Sequence, residues 1–211
     1  MIWIESTATI FGLLCVWLTI RQNIWCWPTG LVQVFLYIFV FYDAKLYSDL
    51  ILHIIYVVMQ VYGWHHWLRG GTEHKELKVT DQSISHTALW TVTAIVGAGI
   101  WGYLMASLTD AAVPYLDAFI VVTSLIAQWL MARKKIESWF YWITVDIVAI
   151  GVYFYKSLYI TTGLYSVFLF LAISGYFAWR KGLITETGAL DENRINARKI
   201  RPASSGASTG D

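Results

Sequence analysis

The residue with the clearest chemical potential in this sequence is an aspartate inside a long apolar segment. Asp146 lies near the middle of the apolar run 139–155, with Trp139 and Trp142 before it. At helical spacing these three side chains share one face. A carboxylate at bilayer depth costs roughly 2.5–3.5 kcal/mol on insertion scales, so it is a functional candidate. Two indoles beside it predict a site for a flat, positively charged ligand.

A structural interpretation of the same residues is also open. Asp146 could pair with a group on another helix, and the two tryptophans could lie in the aromatic belt of a membrane interface. These residues alone do not decide between the two interpretations.

The composition is that of an integral membrane protein. Hydrophobic residues make up 57% of the 211 residues and charged residues 14%, whereas soluble domains are about 25% charged. The net charge of +1 gives no attraction for nucleic acid. Two cysteines, Cys15 and Cys26, predict no disulfide framework, and no basic segment precedes the first apolar run, so no cleaved signal peptide is predicted.

Seven apolar runs are long enough to cross a bilayer as α-helices, and they predict an all-α membrane protein. The runs are 2–20, 25–42, 46–68, 86–107, 113–132, 139–155 and 158–179. Alternate loops then lie on opposite sides, and 13 of the 15 basic residues fall on one side, leaving Lys45 and Lys156 on the other. The positive-inside rule predicts an N-terminus outside and a C-terminus in the cytoplasm.

An internal repeat organises these spans. A shift of 112 residues superimposes the first three spans on the last three, with 11 identities in the 50 positions 21–70. The rare matches carry the signal: Trp27 with Trp139, Gly63 with Gly175, Trp67 with Trp179. The first and fifth spans are four membrane crossings apart, so the two halves run in the same direction. We therefore predict a 3+1+3 parallel-repeat arrangement, the plan of transporters that bind substrate near the midplane.

The repeat also sets the predicted domain boundaries. Residues 1–70 form the first three-helix repeat, 71–85 a cytoplasmic loop, 86–107 the linker helix and 113–182 the second repeat. The polar segment 183–211 predicts a disordered cytoplasmic tail.

Polar side chains at helical spacing on several spans predict one shared cavity. On the third span, Asp49, His53, Tyr56 and Gln60 follow one another at steps of four, three and four residues and so share one helix face. The candidate substrate-binding residues are Trp139, Trp142, Asp146, Gln128, Gln60, Tyr56, His53, Asn23, Trp27 and Gln33. The two halves differ at these positions, since the shift pairs His53, Tyr56 and Gln60 with Tyr165, Phe168 and Ala172, and Asp146 with Val34. This divergence favours an asymmetric small-molecule site over a symmetric ion pore.

Several motifs resemble the PnuC family of bacterial vitamin transporters. They include the runs at 3–5, 12–15, 23–25, 27–31, 45–47, 62–67 and 137–142, and the resemblance covers residues 3–182. It implies an inner-membrane carrier of nicotinamide riboside, or of thiamine, riboflavin or deoxynucleosides, with a fold similar to SWEET proteins. It also implies a homotrimer, facilitated diffusion for NAD biosynthesis, and trapping of the substrate by a cytoplasmic kinase.

One position departs from that family, because many nicotinamide riboside carriers have Asn where this chain has Asp146. Nicotinamide riboside and thiamine both carry a permanent positive charge, and Asp146 suits either. The sequence contains no GxxxxGK[ST] phosphate loop, so we predict a transporter that is not an enzyme and uses no cofactor or metal. It offers no nucleic-acid-binding feature, and membrane lipid is its surrounding partner.

Two other functions compete with a uniporter. A proton-coupled transporter could use Asp146, Asp49 or His53 as a relay, since intramembrane Asp and His serve in pumps. A seven-helix sensor or photoreceptor is disfavoured because Lys156 lies at a span boundary, which leaves a retinal Schiff base without an obvious anchor.

Overall fold

A computed structural model describes the backbone of residues 2–43, 47–71, 76–109 and 112–200, and the side chains of these residues except 2, 47–49 and 185–200. Within them the chain forms seven α-helices, which confirms the predicted all-α fold. The helices are α1 (Ile2–Ile20), α2 (Cys26–Asp43), α3 (Tyr47–Arg69), α4 (Ile84–Leu108), α5 (Pro114–Ala132), α6 (Ser138–Tyr155) and α7 (Tyr159–Ile200).

A few predictions concern residues outside the described set. They fall on Lys45, Lys75, Arg201, the repeat match at 46–47, the side chain of Asp49, and residues 201–211 of the predicted tail.

Within the described residues, six helices are long and apolar enough to cross a membrane, namely α1, α2, α4, α5, α6 and the segment Tyr159–Ile184 of α7. The remaining helix, α3, has sufficient length with 23 residues, but polar side chains such as His53, Gln60 and His65 lower its hydropathy. Large apolar side chains are exposed over the bundle, for example Ile160 at 92% and Phe170 at 70%. Such a surface fits contact with lipid, where helices satisfy their own backbone hydrogen bonds.

The last helix is longer than the predicted span 158–179. It continues to Ile200, through residues 183–200 that the sequence analysis assigns to a disordered tail. The structure differs there because no proline interrupts the chain before Pro202, and the segment is rich in the helix-favouring residues Ala, Leu, Glu and Arg.

The α1–α2 and α5–α6 connections are the same tight turn. Gln22 and Lys134, which are 112 positions apart, both have a left-handed backbone with φ of 54° and 51°. This conformation is uncommon for residues other than glycine. Asn23 N–H donates to the Leu18 carbonyl over 2.9 Å, and Lys135 N–H donates to Leu130 over 3.0 Å. The end of the bundle that carries these two turns is called the turn end below.

The helices pack as a closed ring of six. Neighbours around the ring are α1 and α2, α2 and α3, α3 and α5, α5 and α6, α6 and α7, and finally α7 and α1. The α4 helix packs on α5 from outside the ring, where a Cβ on Gly97 would lie 3.1 Å from Val122. The ring therefore encloses an interior that only its own helices line.

Close backbone approach positions two buried indoles inside the ring. A Cβ on Gly63 of α3 would overlap the six-membered ring of Trp27, and a Cβ on Gly175 of α7 would overlap that of Trp139. Only glycine lets the indoles lie flat against these helices.

We predict that Gly175→Ala lowers the free energy of unfolding by about 1–3 kcal/mol, because the added methyl group overpacks the core against Trp139. The matched control is Gly163→Ala on the same helix, where nothing lies within 4 Å of the added Cβ. That change should raise helix stability by up to about 1 kcal/mol. Thermal unfolding in detergent measures both, and a Gly175→Ala protein that unfolds at or above the parent's temperature contradicts the assigned packing.

Candidate functional site

Four tryptophans fill the ring interior towards the turn end. Trp27 and Trp67 lie edge to face with centroids 5.3 Å apart, and Trp139 and Trp179 do the same at 5.4 Å. Trp67 and Trp179 connect the two pairs, since their ring centroids are 6.0 Å apart. All four are at most 2% exposed. We call them the tryptophan cluster.

Hydrogen bonding divides this cluster into two kinds of indole. Trp67 Nε1 donates to the Met131 carbonyl and Trp179 Nε1 to the Thr19 carbonyl, both over 3.1 Å. The buried Nε1 atoms of Trp27 and Trp139 have no acceptor among the described residues. An unmade buried hydrogen bond costs about 1–3 kcal/mol, so these two donors need an acceptor that the described part of the chain does not supply.

Asp146 is the centre of a second, polar group of residues. Its side chain, on α6, is only 4% exposed, and among the described residues it has neither a hydrogen-bond partner nor an ion-pair partner. Tyr165 of α7 lies within electrostatic range of both Asp146 and Tyr56. Tyr56 of α3 is hydrogen-bonded to Ser124 of α5 over 2.8 Å. We call this four-helix group the Asp146 cluster.

Tyr153 extends the Asp146 cluster, because its ring packs against that of Tyr165 with centroids 5.1 Å apart. On α5 the Thr123 hydroxyl, next to Ser124 in sequence, is buried with no hydrogen-bond partner among the described residues. A buried carboxylate without a partner beside two tyrosines is a feature of a polar ligand site rather than of a finished core.

Of the predicted site residues, Trp27 and Trp139 meet in the tryptophan cluster, and Tyr56 and Asp146 meet in the Asp146 cluster. Trp142 is half-buried and packs against the tryptophan cluster. His53 extends the Asp146 cluster, since its ring centroid lies 5.8 Å from that of Tyr56.

The remaining predicted residues occupy other positions. Gln60 is buried next to Gly30 between α2 and α3, and the Gln33 amide would lie 2.7 Å from a Cβ on Gly12, between α1 and α2. Gln128 is half-buried on α5. Asn23 is exposed in the α1–α2 turn, where its Oδ1 accepts from Trp25 N–H over 3.0 Å.

Sequence reasoning missed Tyr165 and Tyr153 as members of the site. One signal was available, because the 112-residue shift pairs Tyr165 with His53, which was selected. Their ring neighbours correspond as well. The ring centroids of Tyr165 and Tyr153 are 5.1 Å apart, and those of His53 and Phe41 are 4.8 Å apart. The shift pairs Phe41 with Tyr153.

A polar cavity of about 320 Å³ opens at the turn end. It is lined by Arg21, Gln22, Asn23, Ile24, Trp67, Leu68, Glu76 and Lys134. Lys134 is buried, donates from Nζ to the Leu77 carbonyl over 2.8 Å and lies 4.5 Å above the Trp67 ring. Burial lowers the pKa of Lys134, and the neighbouring carboxylate of Glu76 opposes that change. The cavity thus reaches the tryptophan cluster from outside.

Comparison with known proteins identifies the family. Residues 2–181 match the family model described as nicotinamide mononucleotide transporter. The nicotinamide riboside transporter PnuC of Neisseria mucosa is 31% identical over 191 residues, which cover 85% of this chain and 72% of that protein. This chain belongs to the PnuC family. The resemblance of the motifs is therefore confirmed, and the chain is a multi-pass bacterial membrane transporter.

Other relatives extend the comparison. The nicotinamide riboside transporter PnuC of Escherichia coli K12 is 26% identical over 202 residues, covering 84% of both chains. The riboflavin/roseoflavin transporter RibM of Streptomyces davaonensis is 26% identical over 186 residues, covering 85% of both. A crystal structure of the vitamin B3 transporter PnuC superimposes with a TM-score of 0.68 at 29% identity, covering 85% of this chain and 81% of that one.

We predict that Trp67→Phe destabilises the fold more than Trp27→Phe does. Both indoles are buried and touch each other, but only Trp67 has a hydrogen bond to lose, whose net worth is about 1 kcal/mol or more when the Met131 carbonyl stays buried. Thermal unfolding of the two purified variants makes the comparison. Equal losses of stability would mean that ring volume, rather than the indole hydrogen bond, sets the role of these residues.

Proposed function

We propose that this chain is a uniporter for nicotinamide riboside, with the binding site between the two halves near the membrane midplane. The observation that carries the proposal is Asp146, a buried carboxylate without a partner among the described residues, on the same helix face as Trp139 and Trp142. The names of several relatives, nicotinamide riboside transporters, support the substrate.

The charge of the substrate supplies what Asp146 lacks. Nicotinamide riboside carries a fixed positive charge on its pyridinium ring, which gives the carboxylate a counter-ion. An effective dielectric constant of about 20 makes such a pair worth up to about 4 kcal/mol at 4 Å before desolvation costs. The faces of neighbouring aromatic rings add cation–π attraction. Tyr56 and Tyr165 contribute hydroxyl groups beside the same site.

The unpaired indoles offer the substrate hydrogen bonds. Trp27 and Trp139 each hold a buried N–H that needs an acceptor. The carboxamide oxygen and the ribose hydroxyls of nicotinamide riboside are acceptors of the required kind. Because donors left unsatisfied are costly, an analogue without these oxygens would be rejected.

We propose that the seven helices form two parallel three-helix repeats joined by α4, the 3+1+3 plan. Contacts repeated at a spacing of 112 residues support this. Arg21 lies 4.5 Å above Trp17 and Arg133 lies 4.4 Å above Trp129. The two indole–carbonyl bonds and the two left-handed turn residues repeat in the same way. Alternating access would then move one half relative to the other around the site.

The turn end is proposed to face the cytoplasm, with the N-terminus outside. The asymmetry of basic residues supports this orientation. Alkaline phosphatase fused after Gly182 should be inactive, since that enzyme works only outside the cytoplasm, and an active fusion would reverse the assignment.

Two further proposals come from the family resemblance. The chain would form a homotrimer in the inner membrane, and a cytoplasmic kinase would trap the substrate by phosphorylating it. Mass measurement of the purified complex tests the first, and a monomeric mass in lipid nanodiscs would rule it out. The transport experiment below tests the second.

Thiamine is the second candidate substrate. Its thiazolium ring also carries a permanent charge, and Asp146 stands where many nicotinamide riboside carriers have Asn. A thermal-shift screen of the purified protein against B vitamins and nucleosides separates the two, since the true substrate should raise the melting temperature most.

We predict that Asp146→Asn weakens binding of the cationic substrate at least tenfold, about 1.4 kcal/mol, while the protein keeps its fold. The change removes the charge but keeps the side-chain shape and one oxygen. Titration calorimetry measures the affinity. Asp117→Asn is the control, because that carboxylate pairs with Lys156 at 2.9 Å away from the site. Unchanged affinity in the Asp146 variant would make Asp146 a structural residue.

We expect transport by the purified protein to need no ATP, because the chain contains no phosphate-binding loop, and a uniporter needs no ion gradient either. In proteoliposomes, labelled nicotinamide riboside should stop at equal concentrations inside and outside. Enclosing a nicotinamide riboside kinase with ATP should make the label accumulate as the phosphate. Accumulation driven by an inward proton gradient alone would replace the uniporter with a proton-coupled carrier.

A further inference from the structure

The two interfaces that join the halves are built on one pattern but are not equally strong. At the turn end, α3 contacts α5 through the bond from Trp67 to the Met131 carbonyl, and α7 contacts α1 through the bond from Trp179 to the Thr19 carbonyl. These bonds are related by the 112-residue shift. Three further contacts hold α3 and the residues after it to the second half, and the described residues of α7 and α1 show no contact at the positions that the shift pairs with them.

The first additional contact is the hydrogen bond between Tyr56 and Ser124, at 2.8 Å. The shift pairs these residues with Phe168 and Gly12. Neither counterpart has a side-chain hydroxyl, so the corresponding bond between α7 and α1 cannot form.

The second additional contact is an aromatic stack. Tyr62 of α3 stacks on Trp129 of α5 with ring centroids 5.2 Å apart and an interplanar angle of 14°, and His66 also stacks on Tyr62, with ring centroids 5.4 Å apart. The counterpart of Tyr62 is Ser174, whose hydroxyl donates to the Phe170 carbonyl of its own helix. Serine has no aromatic ring, so no corresponding stack can form between α7 and α1.

The third additional contact is the segment 76–83 after α3, which we call the strap. Thr80 N–H donates to the Lys134 carbonyl over 3.1 Å, and Ile136 N–H donates to the Thr80 carbonyl over 3.0 Å. The strap is also anchored on α3, because Leu77 N–H donates to the Trp67 carbonyl over 3.1 Å. The counterpart segment, residues 188–195, lies within the α7 helix and has no free backbone groups for such a bridge.

We infer that the α3–α5 interface is the fixed hinge of the transporter and that the α1–α7 interface is the one that opens at the turn end. This inference rests on the proposed alternating-access function.

Hydrogen exchange tests the hinge without any substrate. In lipid nanodiscs, backbone amides of residues 15–20 should exchange faster than those of 127–132, and amides of 174–179 faster than those of 62–67. Fraying of helix ends predicts the opposite for the second comparison, because α3 ends at Arg69 while α7 continues to Ile200. Equal or reversed rates would overturn the inference.

Tyr62→Ser installs the counterpart residue and removes the stack. It should raise exchange in residues 62–67 and 127–132 severalfold, while residues 15–20 keep their rates. Phe170→Ala, which changes a 70% exposed side chain, is the matched control and should leave both interfaces unchanged. If Tyr62→Ser speeds exchange in all four segments alike, the stack contributes only global stability and is not part of a hinge.

Matched cross-links test the consequence for transport. His66 and Arg133 lie within electrostatic range across α3 and α5, and the shift pairs them with Ala178 and Arg21. Each pair is changed to cysteine in a Cys15→Ser, Cys26→Ser background and joined by a short bis-maleimide. Cross-linking of Arg21→Cys with Ala178→Cys should abolish nicotinamide riboside uptake, whereas cross-linking of His66→Cys with Arg133→Cys should leave at least half of it.

Each outcome of the cross-linking experiment is decisive. If both cross-links block uptake, or if neither does, the assignment of hinge and gate is wrong. If the protein without cross-linker does not transport nicotinamide riboside at all, the proposed substrate fails, and the exchange comparison still judges the hinge.

Discussion

An indole hydrogen bond to the last turn of a neighbouring helix is the interaction on which the arrangement of this bundle depends. Trp67 Nε1 donates to the Met131 carbonyl, close to the end of α5, and Trp179 Nε1 donates to the Thr19 carbonyl, close to the end of α1. Each carbonyl also accepts a backbone N–H of the tight turn that follows its helix, from Lys134 over 3.0 Å and from Gln22 over 2.9 Å. A carbonyl oxygen has two lone pairs, so one acceptor serves both the turn and the indole, and each indole ties its own helix to the last turn of a neighbouring helix.

Much of this architecture was predictable from the sequence because a bilayer imposes strong constraints. A spanning helix needs about 20 apolar residues, so the runs could be read directly, and matches of rare Trp and Gly residues revealed the spacing of 112. Gly63 and Gly175 show why those matches recur, since each glycine makes room for an indole of the same half.

Other features depend on contacts that no local pattern encodes. The strap residue Thr80 lies in what the sequence predicts as an ordinary polar loop, and its partners Lys134 and Ile136 lie more than fifty residues away in sequence. Asn23 looked like a site residue by type, but the turn uses its oxygen to hold Trp25 N–H. Sequence reasoning does not select Tyr165, because a tyrosine in an apolar run resembles a core residue. Only the fold shows that Tyr165 lies within electrostatic range of Asp146 and Tyr56.

Symmetry of the scaffold and asymmetry of its contents have separate physical causes. Tryptophans, glycines and turn residues recur at the spacing of 112 because they make corresponding contacts in the two halves. Under the proposed function, binding one asymmetric molecule favours the opposite, and the interior differs where Asp146 corresponds to Val34. A carboxylate in each half would place two like charges in one interior, whereas a single carboxylate would balance the single charge of the proposed substrate. The inequality of the interfaces bears on the proposed site. Tyr56 belongs both to the α3–α5 contact and to the Asp146 cluster, whereas Asp146 itself lies on α6. In the proposed mechanism the hydroxyl of Tyr56 would therefore meet the ligand from the interface that stays fixed, while Asp146 supplies the charge from the same half as Ser124.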